Sequence, residues 1–378
     1  MRQNNLRRGK YMKKRRLYYM DLIKFIAMIF VCCYHFSWAG ISYADKINAT
    51  VSIKMAIFSI NSMCVPLFFL VNGGLILNKE LYSQTFVKKV IRLFLVYFIW
   101  RAITILVIAS YKGIPINSYG EVELLKGILF DELRGVDLSH FWFIKTLIKI
   151  YLVVPFVKAE YDYLSNEQKR DNFIKYFLGA LLTVSFFIPD INNMIKVVPK
   201  LRNAAIYDFS HYNIVPGIVG TMLCYFIIGG LLVKYSERIK LISIWKVVLT
   251  FFAGMLMLFA EWYIVSKVAG SEFDIVFKGY STIGCMLMSM SFFVMMQRIP
   301  NSFIEKNQRL KSFITIMGTN TFTVYYLHWI FGYTLLSHFT INTSGIVVNF
   351  IKAVVITVIF SYVGALLRKI PIIKKLIL

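Results

Sequence analysis

Ten apolar segments follow one another along this chain, at roughly residues 18–38, 54–77, 90–110, 141–157, 171–189, 214–233, 247–266, 279–297, 313–336 and 346–367. A helix needs about 20 mostly apolar residues to cross the hydrocarbon core of a bilayer. Inside that core the backbone has no water to bond, so each segment must satisfy its own N–H and C=O groups, as a helix does. The spacing therefore predicts an all-α polytopic membrane protein with about ten transmembrane helices, placed in the cell membrane as a multi-pass protein in contact with its lipids. Composition agrees: 58% of the residues are hydrophobic and 16% charged, too apolar for a soluble chain of 378 residues. A formal charge of +24 could suggest a nucleic-acid partner. Here the charge is split among short loops between apolar spans, as the positive-inside rule requires, and no nucleic acid is expected.

Lys and Arg are richer in alternate loops, starting with the N-terminal tail, which predicts both termini in the cytoplasm. The expected division is a basic tail over 1–17, a membrane domain over 18–367 and a second basic tail over 368–378, with no appended soluble domain. The longest loops, about 111–140 and 190–213, then lie outside, and the first holds an amphipathic stretch, GEVELLKGILFDELRG, suited to a membrane surface. Cys32, Cys33, Cys64, Cys224 and Cys285 fall within apolar spans without metal-ligand spacing and read as small core residues.

The first segment carries Asp21, Lys24 and His35. Ionisable groups inside a span are costly and usually serve a site or a pathway. Lys24 and His35 are eleven positions apart and return to nearly the same helix face, with Asp21 close to it. Within the spans as a whole the cations Lys24, Arg92, Arg101, Lys145 and Lys149 outnumber the acids Asp21 and Glu261. Unpaired buried charge calls for an anion or a wet cavity, and a large anionic ligand is the simplest answer. Snorkelling accounts for Lys24 and Arg92, but less well for Arg101 and Lys149 near mid-span. Lys88, Lys89 and Arg92 can share one helix face and clamp a phosphate; on spacing alone a positive-inside flank is the simpler reading. Arg101 lies about half a turn from Arg92, so a regular helix cannot aim both at one ligand. Histidine suits general-base work, since its pKa lies near neutrality. His35, His140, His211, His328 and His338 offer no metal spacing, and no metal is expected.

The run Asp21-Leu-Ile-Lys24 with His35 resembles the first-helix signature of the membrane acyltransferase-3 family. FFLVNGGLIL (68–77), KKVIRLFLVY (88–97), HFWFIKTLIKIYLVVP (140–155), CYFIIGGLL (224–232) and TNTFTVYYLH (319–328) resemble its later motifs, in the family's order. The resemblance implies transfer of an acyl group, acetyl first of all, from cytoplasmic acyl-CoA to a hydroxyl of an extracytoplasmic or lipid-linked glycan. It implies His35 as the catalytic base, and an acyl-histidine intermediate is the second route. Asp21 or Glu261 is the candidate to orient or charge-balance the site. Lys89 and Arg92 would bind the donor, with Lys24 and Arg101 as further candidates. His140, Trp142, Lys145, Lys149 and His328 are candidates for the acceptor site. Lys89 stands where the family more often has Arg, and Leu147-Ile148 stands where many members carry a glutamate. The 140–155 block is similar to the subgroup without a soluble extracellular domain, which includes glycan O-acetyltransferases and succinyl-transferring enzymes. A transporter or exporter of lipid-linked sugars is the alternative that ten charged spans would also suit.

Overall fold

The computed structural model of the chain describes residues 16–37, 47–130, 133–163, 173–195, 215, 217–268, 273–335 and 345–376. Among the described residues all ten apolar segments are helical, and the β structure is one isolated bridge between Leu133 and Val136. Helix α1 spans Tyr18–Ser37. The second segment is α2 (Ala49–Phe58) and α3 (Cys64–Leu77), joined by a 3-10 turn at Ser59–Met63. Then come α4 (Ser83–Tyr111), the short α5 (Glu121–Leu129) and α6 (Trp142–Tyr163). Helices α7 (Phe173–Leu182) and α8 (Ile188–Ile195) flank a π turn. They are followed by α9 (Ile218–Lys234), α10 (Ser236–Lys240), α11 (Ile244–Tyr263) and α12 (Ile283–Gln297). The chain closes with α13 (Asn301–Glu305), α14 (Gln308–Thr319), α15 (Thr321–Tyr333), α16 (Ile346–Leu367) and α17 (Pro371–Leu376). Seven of these helical stretches are long and apolar enough to cross a membrane, and α9 and α12 are shorter apolar helices of 17 and 15 residues. This is an all-α polytopic membrane protein.

The segment expected as one helix over 313–336 is instead broken at Asn320, between α14 and α15. Gly318, Thr319 and Asn320 are all weak helix formers, the last two because their side chains compete for backbone bonds. The carbonyl of Thr319 accepts from Arg368 Nη2 at 3.0 Å, and Asn320 Oδ1 accepts from Arg368 Nε at 2.7 Å. A break of this kind is tolerated at membrane depth where protein partners satisfy the freed groups.

Lipid tails are as apolar as leucine, so helices in a bilayer associate through close packing at small residues. Gly73 of α3 abuts the backbone of Phe226, and Gly229 of α9 abuts that of Leu70, a reciprocal contact that leaves no room for a Cβ on either side. Gly254 and Gly284 join α11 to α12 in the same way. Helix α1 sits at the centre, packed on α3, α12, α14, α15 and α16. The five cysteines are buried and unbridged.

Candidate active site

Lys24 and His35 both line a cavity of about 240 Å³ that follows one face of α1, with Met28 and Val31 between them at helical spacing. Eleven residues of helix separate the two by about 16 Å. At the Lys24 end the wall is made by Gly318, Thr319 and Thr321, at the α14–α15 break. At the His35 end it is made by Tyr34, Cys64, His140, Trp142, Phe277, Tyr280 and Tyr325. Trp142 meets Phe277 edge-on at 5.6 Å and lies 5.9 Å from Tyr280, so flat aromatic faces close this end.

Three of the five histidines converge here. The ring centroids of His35 and His328 are 5.3 Å apart, and both rings meet the indole of Trp329. His140 stacks on the same indole at 4.4 Å. Trp329 is itself held by an N–H bond to the Asp137 carbonyl at 3.0 Å, and Tyr325 donates to the His140 carbonyl at 2.7 Å. His140 is 4% exposed and neither ring nitrogen has a partner. Buried polar atoms are normally bonded, so an orphan imidazole on a cavity wall is available to a ligand. His211 and His338 lie outside the described residues. Among the described residues, no three His, Cys, Asp or Glu side chains are grouped so as to hold a metal ion.

Asp21 is at the opposite end of α1. Its carboxylate is 2.5 Å from Arg16 Nε and 2.8 Å from Lys24 Nζ, and it sits in the first helical turn, where the macrodipole favours an anion. Fourteen residues, about 21 Å of helix, separate it from His35. Glu261 is buried against Asn193, whose amide donates to it at 2.5 Å, and it does not line the cavity. Beside His35, the Tyr34 hydroxyl donates to Asp274 at 2.6 Å, and Asp274 also accepts from the N–H groups of Val276 and Phe277.

A second cavity, of about 410 Å³, is lined by Thr85, Lys88, Lys89, Arg92 and Tyr151. It shares two wall residues, Asn72 and Phe322, with the cavity of His35. Tyr151 donates to Asn72 Oδ1 at 3.2 Å, and Lys89 Nζ lies 4.9 Å from the Tyr151 ring centroid. Arg92 donates to the carbonyls of Lys374 and Lys375 in α17, at 3.0 and 3.2 Å. Helix α3 runs antiparallel to α1, placing Gly74 beside Met20. The chain turns from there into α4, so the basic cavity opens at the Lys24 end of α1 and His35 lies at the other end.

The family model described as an acyltransferase domain matches residues 17–366, nearly the whole chain. The chain belongs to the acyltransferase-3 family. No curated protein and no solved structure matches it. Membership makes the molecule a membrane acyltransferase.

In this acyltransferase Arg101 stands apart from the basic cavity. Its side chain is fully buried between Tyr97 and Phe141, with both guanidinium centroid distances at 5.4 Å. It donates from Nε to the Ile128 carbonyl at 2.9 Å and from Nη2 to the Gly127 carbonyl, at the C-terminal end of α5. A cation on the free carbonyls of a helix end is well placed. Thus α5, the amphipathic stretch of the loop, is tied to the bundle by an arginine from mid-span. Of the 140–155 block, His140 and Trp142 line the His35 cavity, whereas Lys145 and Lys149 line neither cavity and Lys149 is exposed.

Sequence reasoning missed Asn72, Tyr151, Tyr34 with Asp274, and Trp329. Asn72 carried a usable signal, as a polar side chain inside the apolar run 68–77. The others are joined by contacts between distant segments, which periodicity does not report.

Proposed function

We propose that this acyltransferase moves an acyl group, acetyl first of all, from cytoplasmic acyl-CoA to a hydroxyl of an extracytoplasmic or lipid-linked glycan, with His35 as the general base. The observation that carries the reading is the pair of adjoining cavities, one cationic and one ending at histidine. The phosphates of the nucleotide suit Lys88, Lys89 and Arg92, since charge-assisted bonds to phosphate are among the strongest available. The pantetheine arm then passes between Asn72 and Phe322 along the apolar wall of α3. The thioester arrives at His35, where among the described residues the wall at that end of the cavity carries no lysine or arginine, Lys24 lying at the other end; an uncharged acyl group fits that wall better than succinyl.

The acceptor enters from the end of Trp142 and Phe277, whose faces suit the C–H side of a sugar ring, while His140 offers its free nitrogens to hydroxyls. His35 takes the proton of the attacking hydroxyl as the new C–O bond forms. The C–S bond breaks on collapse, and His35 returns the proton to the thiolate of coenzyme A. Atoms and charges balance without a metal or a redox partner.

Purified protein given acetyl-CoA and a glycan acceptor is expected to release free coenzyme A thiol and an O-acetylated glycan. Transport of a lipid-linked sugar with the thioester left intact would refute the reading. Mass spectrometry of surface glycans from cells with and without the gene identifies the acceptor.

A further inference from the structure

The cavity of His35 and the basic cavity have a common partition, made of Asn72 on α3 and Phe322 on α15. The face that α3 turns to the His35 cavity holds Cys64, Val65, Phe68, Val71, Asn72 and Leu75, at helical spacing. Asn72 is the one carboxamide among these thiol and hydrocarbon side chains. Polar groups on an apolar face inside a span are costly and mark sites and pathways.

The hydrogen bonds of Asn72 use half of what its amide can make. Nδ2 donates to the Phe68 carbonyl, one turn back, at 2.9 Å, and Oδ1 accepts from the Tyr151 hydroxyl at 3.2 Å. A carbonyl can only accept, so the Phe68 bond decides which end of the amide is nitrogen. A carboxamide has two N–H donors and two oxygen lone pairs. One N–H and one lone pair are therefore left over, on a half-buried residue in the wall of both cavities. Tyr151 holds the oxygen from the side of the basic cavity, where its buried ring lies 4.9 Å from Lys89 Nζ. One tyrosine thus joins the cation at one side of the partition to the amide within it.

A secondary amide presents one N–H and one C=O, the complement of what Asn72 has left. The arm that joins the nucleotide of coenzyme A to its thiol contains such amides, separated by hydrocarbon that suits Phe68, Val71 and Phe322. We propose that Asn72 is an arm-binding residue of the donor site: it gives its spare N–H to an amide carbonyl of the arm and takes an amide N–H on its spare lone pair. The inference rests on the donor reading above, with the nucleotide among Lys88, Lys89 and Arg92. No proton and no covalent bond moves in this step. Asn72 sets how far the arm advances through the partition, and Tyr151 keeps the amide turned toward it.

The arm is separated from the nucleotide by two probes: coenzyme A, and phospho-ADP, the nucleotide of coenzyme A without its arm. Binding of each is measured by calorimetry on monodisperse protein in detergent, for wild type, Asn72→Leu and Lys89→Ala. Asn72→Leu keeps the volume and removes both spare groups. It is expected to weaken coenzyme A about tenfold, the loss of one to two hydrogen bonds, and phospho-ADP less than twofold. Lys89→Ala is expected to weaken both probes alike. If the leucine variant fails to fold, Asn72→Ala takes its place with the same expectation. A merely structural Asn72 would act through Tyr151 on the basic cavity and weaken both probes. Equal weakening of the two in the Asn72 variant, or no weakening of coenzyme A, would overturn the proposal while leaving the nucleotide in the basic cavity. Phospho-ADP bound equally by wild type and Lys89→Ala would remove the nucleotide from that cavity, and the donor reading and this inference would fall together.

Discussion

The cavity of His35 and the cavity of Lys89 share Asn72 and Phe322 and differ in almost everything else. The first is walled by aromatic rings with His35 and His140, and His328 packs against the His35 ring behind that wall. The second holds three cations on exposed turns of α4, beside the carbonyls of the last helix. Burying a formal charge among aromatic rings is costly, so the His35 end of the cavity is best built from neutral imidazoles. In the proposed reaction, phosphate recognition needs formal charge, and the exposed Lys88, Lys89 and Arg92 carry it where water reaches them. The separation of the two ends thus fits what each chemistry costs.

The sharpest test of that division is at the histidine end. His35→Ala is expected to lower kcat by about 10²–10⁴-fold, the usual contribution of a general base, with donor KM unchanged and the protein monodisperse in detergent. A near-normal rate would remove the histidine from the chemistry and leave the first cavity without a role. Arg101 tests whether every buried cation serves the ligand. Arg101→Leu removes two charge-assisted bonds to α5 and is expected to destabilise the fold by on the order of 3 kcal/mol, read as a lower melting temperature. The protein that survives should keep its donor KM, and a raised KM at unchanged stability would return Arg101 to the binding site.

Smaller effects are expected at the basic end. Lys89→Ala and Arg92→Ala should each raise the donor KM by about tenfold, the cost of one charge-assisted bond, with kcat for saturating donor preserved. If the two serve only membrane topology, correctly inserted variants will show wild-type donor affinity. Lys149→Met should do least, with turnover within twofold of wild type, because surface changes of this kind stay within about 0.5 kcal/mol. A clear loss of turnover would mean that the exposed face of α6 contributes to a site.

The helical architecture was legible because each span must satisfy its own backbone, and the shared face of Lys24 and His35 was legible because helical period alone sets it. The surplus of cations was also visible, but its reason was not. Arg101 meets backbone carbonyls at the end of α5, partners that no count of charged side chains includes. Asp21, adjacent in sequence to the site, closes an ion pair with Arg16 and Lys24 rather than reaching His35. The break at Asn320 was hidden by the apolar residues on either side, although Gly318-Thr319-Asn320 carried the turn chemistry for it. The meeting of His35, His140 and His328 around Trp329 joins α1, the start of α6 and α15, and only tertiary structure brings these together.

The proposed transfer is directional: donor at the basic end, acceptor at the histidine end, with the acyl group passed between them. Proteoliposomes carrying the acyltransferase in one fixed orientation test this directly, with acetyl-CoA supplied to one face and a membrane-impermeant glycan acceptor to the other. Acetylated acceptor should form when the donor is on the side of the N-terminus and of Lys89, and the acceptor on the side of His35. Product formed with both substrates confined to the His35 side would contradict the account.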